Sequence, residues 1–101
     1  MTTIYKVVFR RRAQKVFDRL GTAEQRQLAA KLKERTANPR VPADAVREIP
    51  DGYKIKLRAP GIRLIYQVRD RRLVILVLAI GKRERLEAYK EAVRELGKLD
   101  D

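Results

Sequence analysis

Apolar and polar positions alternate most regularly between Asp51 and Val68. Tyr53, Ile55 and Leu57 alternate with Lys54, Lys56 and Arg58. After Ala59-Pro60-Gly61, Ile62, Leu64, Tyr66 and Val68 alternate with Arg63, Ile65 and Gln67. Successive side chains of a strand point to opposite faces, so this pattern predicts a β-hairpin with one oily face and one cationic face. A pairing with Arg58 opposite Arg63, Leu57 opposite Leu64 and Ile55 opposite Tyr66 keeps the charges together. A slip by one residue would bury them, so the pattern selects this class of register.

The same reading extends to the rest of the chain. Thr3 to Phe9 is rich in β-branched and aromatic residues and predicts an opening strand. Phe9, Ala13, Val16, Phe17 and Leu20 recur at helical intervals, with Gly21 as the expected left-handed stop. Thr22 and Gln25 have the spacing of a capping box for a second helix, whose buried stripe is Leu28 and Leu32 with Ala29. Asn38-Pro39 ends it, which makes an αα-hairpin. A loop over Pro39–Pro42 and a short strand over Ala45–Ile49 lead into the β-hairpin. Asp70-Arg71 is a turn, and Leu73 to Ile80 is apolar on both faces, as in an interior strand covered by helix. Gly81 should break that strand. A last helix from Glu84 should carry Leu86, Tyr89, Val93 and Leu96 on one side, before Gly97 and an acidic tail.

No repeat or linker divides the chain, so residues 1–101 read as a single domain. The expected fold class is α+β: a mainly antiparallel sheet of four to five strands, an N-terminal helical hairpin packed on one face, and a short C-terminal helix.

Composition changes the picture through its charge. Twenty-five Lys and Arg against thirteen Asp and Glu give +12, a field that attracts polyanions such as nucleic acid. There is no cysteine, so no disulfide framework or thiolate chemistry, and no apolar run is long enough to span a bilayer. These features read as a soluble, cytoplasmic domain with no membrane partner.

The chemistry is narrowed further by what is missing. There is no histidine, which excludes imidazole acid–base catalysis and histidine metal sites. No Gly-rich phosphate loop precedes a helix. Glu48, Asp51 and Asp70 are the only carboxylates from Arg47 to Arg72, a poor basis for a two-metal nuclease, so no metal site is expected. Lys, Arg and Tyr remain. They suffice to cleave RNA, whose 2′-OH supplies the nucleophile from within the substrate; cations then stabilise the charged phosphorus centre and the leaving 5′-oxygen. DNA lacks that hydroxyl.

Each candidate also has a plainer reading. Lys54, Lys56 and Arg58 fit a solvated strand face equally well, and Arg63 fits a neutralised turn. Arg83 fits a residue preceding a helix and paired with Glu87. Tyr89 fits a core aromatic with its hydroxyl at the edge, and Tyr53 and Tyr66 fit the core.

Three strings lift the candidates above these alternatives: Pro-Asp-Gly-Tyr-Lys-Ile-Lys-Leu-Arg, Gly-Ile-Arg-Leu-Ile-Tyr-Gln-Val and Ile-Gly-Lys-Arg-Glu-Arg-Leu-Glu-Ala-Tyr. In them, and over nearly its whole length, the chain resembles the RelE toxins of type II toxin–antitoxin modules. The resemblance implies an endoribonuclease (mRNA interferase) that enters the ribosomal 30S A site and cleaves the mRNA codon there, with no metal or cofactor. Lys54, Lys56, Arg63, Arg83 and Tyr89 match the family's catalytic positions; Arg47 and Arg58 match RNA-contacting ones. By that likeness Lys56 and Arg63 hold the scissile phosphate and Arg83 assists the leaving oxygen. The general base stays open between Tyr89 and Lys54. The resemblance also implies a RelB-type antitoxin that wraps the toxin and displaces its C-terminal helix. Arg10-Arg11-Arg12 is more basic than the family pattern requires, and Gly97–Asp101 runs past the family's usual helix end. Two alternatives remain: by resemblance to a related family, a ParE-like inhibitor of DNA gyrase of similar fold, and, from the charge, a non-catalytic nucleic-acid-binding module.

Overall fold

The computed structural model describes residues 4–58, 61–82 and 86–99. In chain order, β1 spans Lys6–Phe9, α1 Arg11–Arg19 and α2 Thr22–Ala37. β2 (Gly52–Leu57), β3 (Ile62–Arg69), β4 (Val74–Lys82) and α3 (Glu87–Leu99) follow. The four strands form one sheet in the order β1-β4-β3-β2. β2–β3 and β3–β4 are antiparallel, as expected of consecutive strands, but β1 runs parallel to β4. The sheet is therefore mixed, because the αα-hairpin carries the chain away from β1 before β4 returns beside it.

The central strands are buried on both faces. On one, α1 and α2 pack through Ala13, Leu28 and Leu32 onto Ile55, Leu64, Tyr66 and Ile75. On the other, Ala88 and Ala92 of α3 pack onto Ile65, Leu76, Leu78 and Ala79. The apolar run of β4 is explained by this double cover, which removes any need for alternation.

Several local expectations are corrected. The β-hairpin pairs Leu57 with Ile62, Lys56 with Arg63, Ile55 with Leu64 and Tyr53 with Tyr66. This register differs by two residues from the expected one, which preserves every face, since the side-chain period is two. Gly21 is no left-handed stop: at φ −64 it is extended and serves as the N-cap of α2. The capping box does not form; Thr22 is already helical, and Gln25 Nε2 instead donates to the Phe17 carbonyl at the end of α1 at 2.8 Å. Ala29 is exposed. Ala45–Ile49 is not a strand, only an isolated bridge between Ala45 and Tyr53. Val46 and Ile49 are nevertheless buried against the α3 side of the sheet; their three-residue spacing suits a turn rather than a strand.

At the C-terminal end, Gly81 lies inside β4, paired with Arg63. Helix α3 begins at Glu87 after Leu86, which holds a left-handed φ of 54. Its buried side is Ala88, Ala92 and Glu95, so Leu86 and Val93 face solvent, contrary to expectation. Gly97 sits within the helix, and Leu99 packs against the second core. Glu84, Arg85, Asp100 and Asp101 lie outside the described residues, as does Thr3 at the expected start of β1.

Candidate active site

The site is built on three adjacent strands. Lys56 of β2 stands opposite Arg63 of β3, which stands opposite Gly81 of β4. A bulge in β4 produces this row. Ile75 and Val77 face the helical hairpin and Leu76 faces α3, but Leu78 and Ala79 both face α3, and Ile80 turns back to the hairpin. The register shifts at that point, between Ile65 and Tyr66 of β3. One extra residue inverts the alternation beyond it, which places Gly81 on the α3 face beside Arg63. A side chain there would collide with the helix: a Cβ on Gly81 would lie 2.8 Å from the Ala88 nitrogen and 3.0 Å from Glu87 Cβ. The glycine therefore lets the start of α3 press onto the sheet.

That close approach brings Tyr89 to Arg63. The Arg63 Nη1 donates to the Tyr89 hydroxyl at 2.7 Å, and its guanidinium carbon lies 5.3 Å from the ring centroid, within cation–π range. Among the described residues Arg63 Nε is buried and has no hydrogen-bond partner. A buried donor without an acceptor costs free energy, and it is a ready hydrogen-bond donor to an anion placed beside it.

The structure thus unites Lys56, Arg63 and Tyr89, residues drawn from β2, β3 and α3. Lys54 lies two positions along β2, opposite Ile65 rather than a cation, and is half-buried. Arg58 is exposed at the hairpin end, and Arg47 is exposed in the turn before β2. That turn is held by Gln67, whose Nε2 donates to the Pro50 carbonyl at 2.9 Å, and by Val68 N–H donating to the Asp51 carbonyl. Arg83 lies outside the described residues.

The turn carboxylates have structural work. Arg40 binds both Asp70 oxygens, at 3.1 and 3.0 Å, and approaches Asp51 at 3.5 Å. Tyr5 donates its hydroxyl to Asp70 at 2.6 Å. The Arg40 hydrogen bonds hold the Asp70 carboxyl below its ordinary range. Among the described residues no group of three or more His, Cys, Asp or Glu is placed to share a metal ion.

Three contributors escaped the sequence reading. Gly81 looked like a strand breaker, and its role depends on a bulge that no alternation announces. Lys31 and Arg35, one turn apart on α2, looked like ordinary helix surface. They line a cleft of about 550 Å³ together with Lys56, Arg58 and Arg63. The only sequence signal was their i, i+4 spacing.

The chemistry available is that of a phosphate clamp beside a phenol. A lysine ammonium and a guanidinium with a spare donor suit a phosphodiester turning into a more highly charged transition state.

Comparison with known proteins bears on the family. The family model of the ParE toxin of the type II toxin–antitoxin system parDE matches residues 7–87. The mRNA interferase toxin RelE of Escherichia coli strain K12 is 47% identical over 92 residues, 91% of this chain and 97% of that protein. A putative RelE-like toxin protein from Escherichia coli is 51% identical over 88 residues, 87% of this chain and 93% of that protein. A doubly substituted E. coli toxin RelE in the free state aligns with TM-score 0.86 at 44% identity, covering 92% of this chain and 98% of that one. E. coli RelE in the intact RelBE toxin–antitoxin complex aligns with TM-score 0.77 at 46% identity, covering 80% and 99%. The ParE model marks the wider superfamily; identity near one half over almost the full length of RelE proteins narrows it, and the chain belongs to the RelE family of type II toxins.

Proposed function

We propose that this toxin is a metal-independent endoribonuclease that cleaves mRNA codons in the ribosomal A site and so halts translation in the cytoplasm. The observation that carries the reading is the cross-strand pair Lys56–Arg63 with the Arg63–Tyr89 hydrogen bond, at family-matching positions, where the β4 bulge sets Gly81 beneath α3. The 2′-oxygen of the substrate attacks the adjacent phosphorus and the bond to the 5′-oxygen breaks, leaving a 2′,3′-cyclic phosphate and a free 5′-hydroxyl. Lys56 and Arg63 neutralise the phosphate oxygens. Tyr89 or Lys54 takes the 2′-OH proton, and Arg83 assists the departing oxygen. Arg47 and Arg58 contact the RNA on either side of the clamp. The relatives' RelBE complexes support an inhibitory partner of RelB type, and a chain of charge +12 suits an acidic one.

The test is cleavage of mRNA on programmed ribosomes. Arg63→Ala, Arg83→Ala and Tyr89→Phe, each alone, are expected to lower the single-turnover rate by about 10²–10³-fold while ribosome binding persists. Wild-type rates in these variants would overturn the assignment of roles.

The ParE description of the matching family model favours a second reading, inhibition of DNA gyrase. A supercoiling assay separates the two: gyrase inhibition without mRNA cleavage would reverse the order.

A further inference from the structure

The cleft beside the clamp has a wall that the catalytic reading does not use. β2 is the edge strand of the sheet, and the cleft wraps around this edge. It runs from Lys56 and Arg63 on the α3 face to Lys31 and Arg35 of α2 on the other. Its volume of about 550 Å³ is in the range of small-ligand sites. Five cations line it against one carboxylate, Asp44, and that carboxylate is already bound by Arg35 at 2.7 Å. Arg35 also donates to the Tyr66 hydroxyl at 2.8 Å, so this part of the wall is rigid. Among the described residues Lys31, Lys56 and Arg58 have no carboxylate within ion-pair distance.

The strand edge adds a neutral donor. Gly52 N–H donates outward to the Ile49 carbonyl, and the Gly52 carbonyl accepts from Val46. Backbone groups that point to one side recur every two residues. Lys54 is taken up by the bridge that pairs Tyr53 with Ala45, but Lys56 presents its groups to the same edge, where no other described segment pairs with it.

Unpaired ammonium and guanidinium groups, with the edge N–H of Lys56 among them, are what a phosphodiester needs. We propose that this cleft holds the phosphate of an mRNA nucleotide adjoining the cut, with Lys31 as its anchoring cation on α2. The proposal rests on the ribonuclease reading. It makes the substrate strand turn around the edge of β2 instead of running only across the α3 face. Lys31 is then a substrate-positioning residue outside the set matched by family resemblance.

The experiment measures single-turnover cleavage of mRNA on programmed ribosomes as a function of toxin concentration. Lys31→Ala is expected to raise the half-saturating toxin concentration three- to ten-fold, with the maximal rate within two-fold of wild type. Lys31→Arg should restore it, and Lys31→Glu should raise it further. Lys33→Ala, on the same helix but outside the cleft, should match wild type. Two altered messages, one ending just after the cleaved codon and one with an uncharged methylphosphonate at the phosphate on its 5′ side, identify the phosphate. The Lys31→Ala effect should vanish on one of them, because the contacted charge is gone. An effect that persists on both places the contact on ribosomal RNA and overturns the proposal, as does a Lys31→Ala curve that overlays wild type. Absence of cleavage by the wild-type toxin would instead remove the ribonuclease reading itself.

Discussion

Tyr66 carries two demands on one side chain. Its ring is fully buried in the core, 5.9 Å from that of Tyr53. Its hydroxyl donates to the Pro39 carbonyl at 2.6 Å and accepts from Arg35. Burial raises its pKa above the ordinary tyrosine value, with Arg35 opposing the shift. The phenol thus stays protonated and ties the loop after α2 to the sheet. Tyr66→Phe leaves a buried carbonyl and a guanidinium N–H short of a partner. It should cost about 1–3 kcal/mol, read as a lower urea midpoint. Because the hydroxyl is remote from Tyr89 chemistry, the cleavage rate at saturating toxin should change little. Alternation placed Tyr66 in the core at once; its two hydrogen bonds join residues 27 and 31 positions away, and no local pattern encodes them.

Among the elements, β4 is where pattern and structure part most usefully. The β-hairpin was legible because one face had to be apolar and the other charged, so even a two-residue error in register left every side chain on its correct face. β4 is apolar on both faces, and such a run carries no phase information. The extra residue at Leu78 and the inversion after it were therefore invisible, and Gly81 was read as an end when it is the point at which α3 docks. Gly81→Ala tests this. The new Cβ meets backbone at 2.8 Å, which no rotamer change relieves. An overpacked contact of this kind should destabilise by about 1–3 kcal/mol. Amides of α3 should exchange faster, as the helix lifts and the Arg63–Tyr89 hydrogen bond weakens. Unchanged protection across Glu87–Leu99 would contradict the docking role. The C-terminal helix was read only in part: Tyr89 and Leu96 pack against the core as expected, but its fully buried positions are alanines and Glu95, while Val93, and Leu86 just before the helix, are exposed.

Across the whole molecule, one buried carboxylate closes the structure end to end. Glu95 of α3 is 2% exposed. It accepts from Arg10 Nε at 3.1 Å, just before α1, and from Lys98 Nζ at 2.9 Å. Burial pushes its pKa up, but the Lys98 and Arg10 hydrogen bonds outweigh burial and hold it below the ordinary glutamate value of 4.5. A carboxyl depressed in the folded state contributes stability at all pH values above its unfolded pKa. That contribution is lost as pH falls through the lower folded value. Glu95→Gln should therefore lower stability at neutral pH by about 1–3 kcal/mol. The gap from wild type should shrink in thermal melts taken progressively below pH 4.5. A gap that stays constant across that window would show that the charge of Glu95 is not what joins α3 to α1. The arginine of this latch belongs to the basic run Arg10–Arg12, which had looked like charge beyond what the family pattern requires.

The α+β class, the αα-hairpin, the hairpin's faces and the cationic character of the site were determined by local rules: alternation, helical spacing, a proline stop and the absence of histidine. These depend on neighbours in the chain, so a single sequence expresses them. Tertiary structure decided the parallel placement of β1, the bulge, the burial of Glu95, and the juxtaposition of Arg63 with Tyr89, 26 positions apart. It also decided that Lys31 shares a cleft with Lys56. Those outcomes follow from how layers pack and where polar groups must find partners, and packing is a property of the folded whole rather than of any stretch of it.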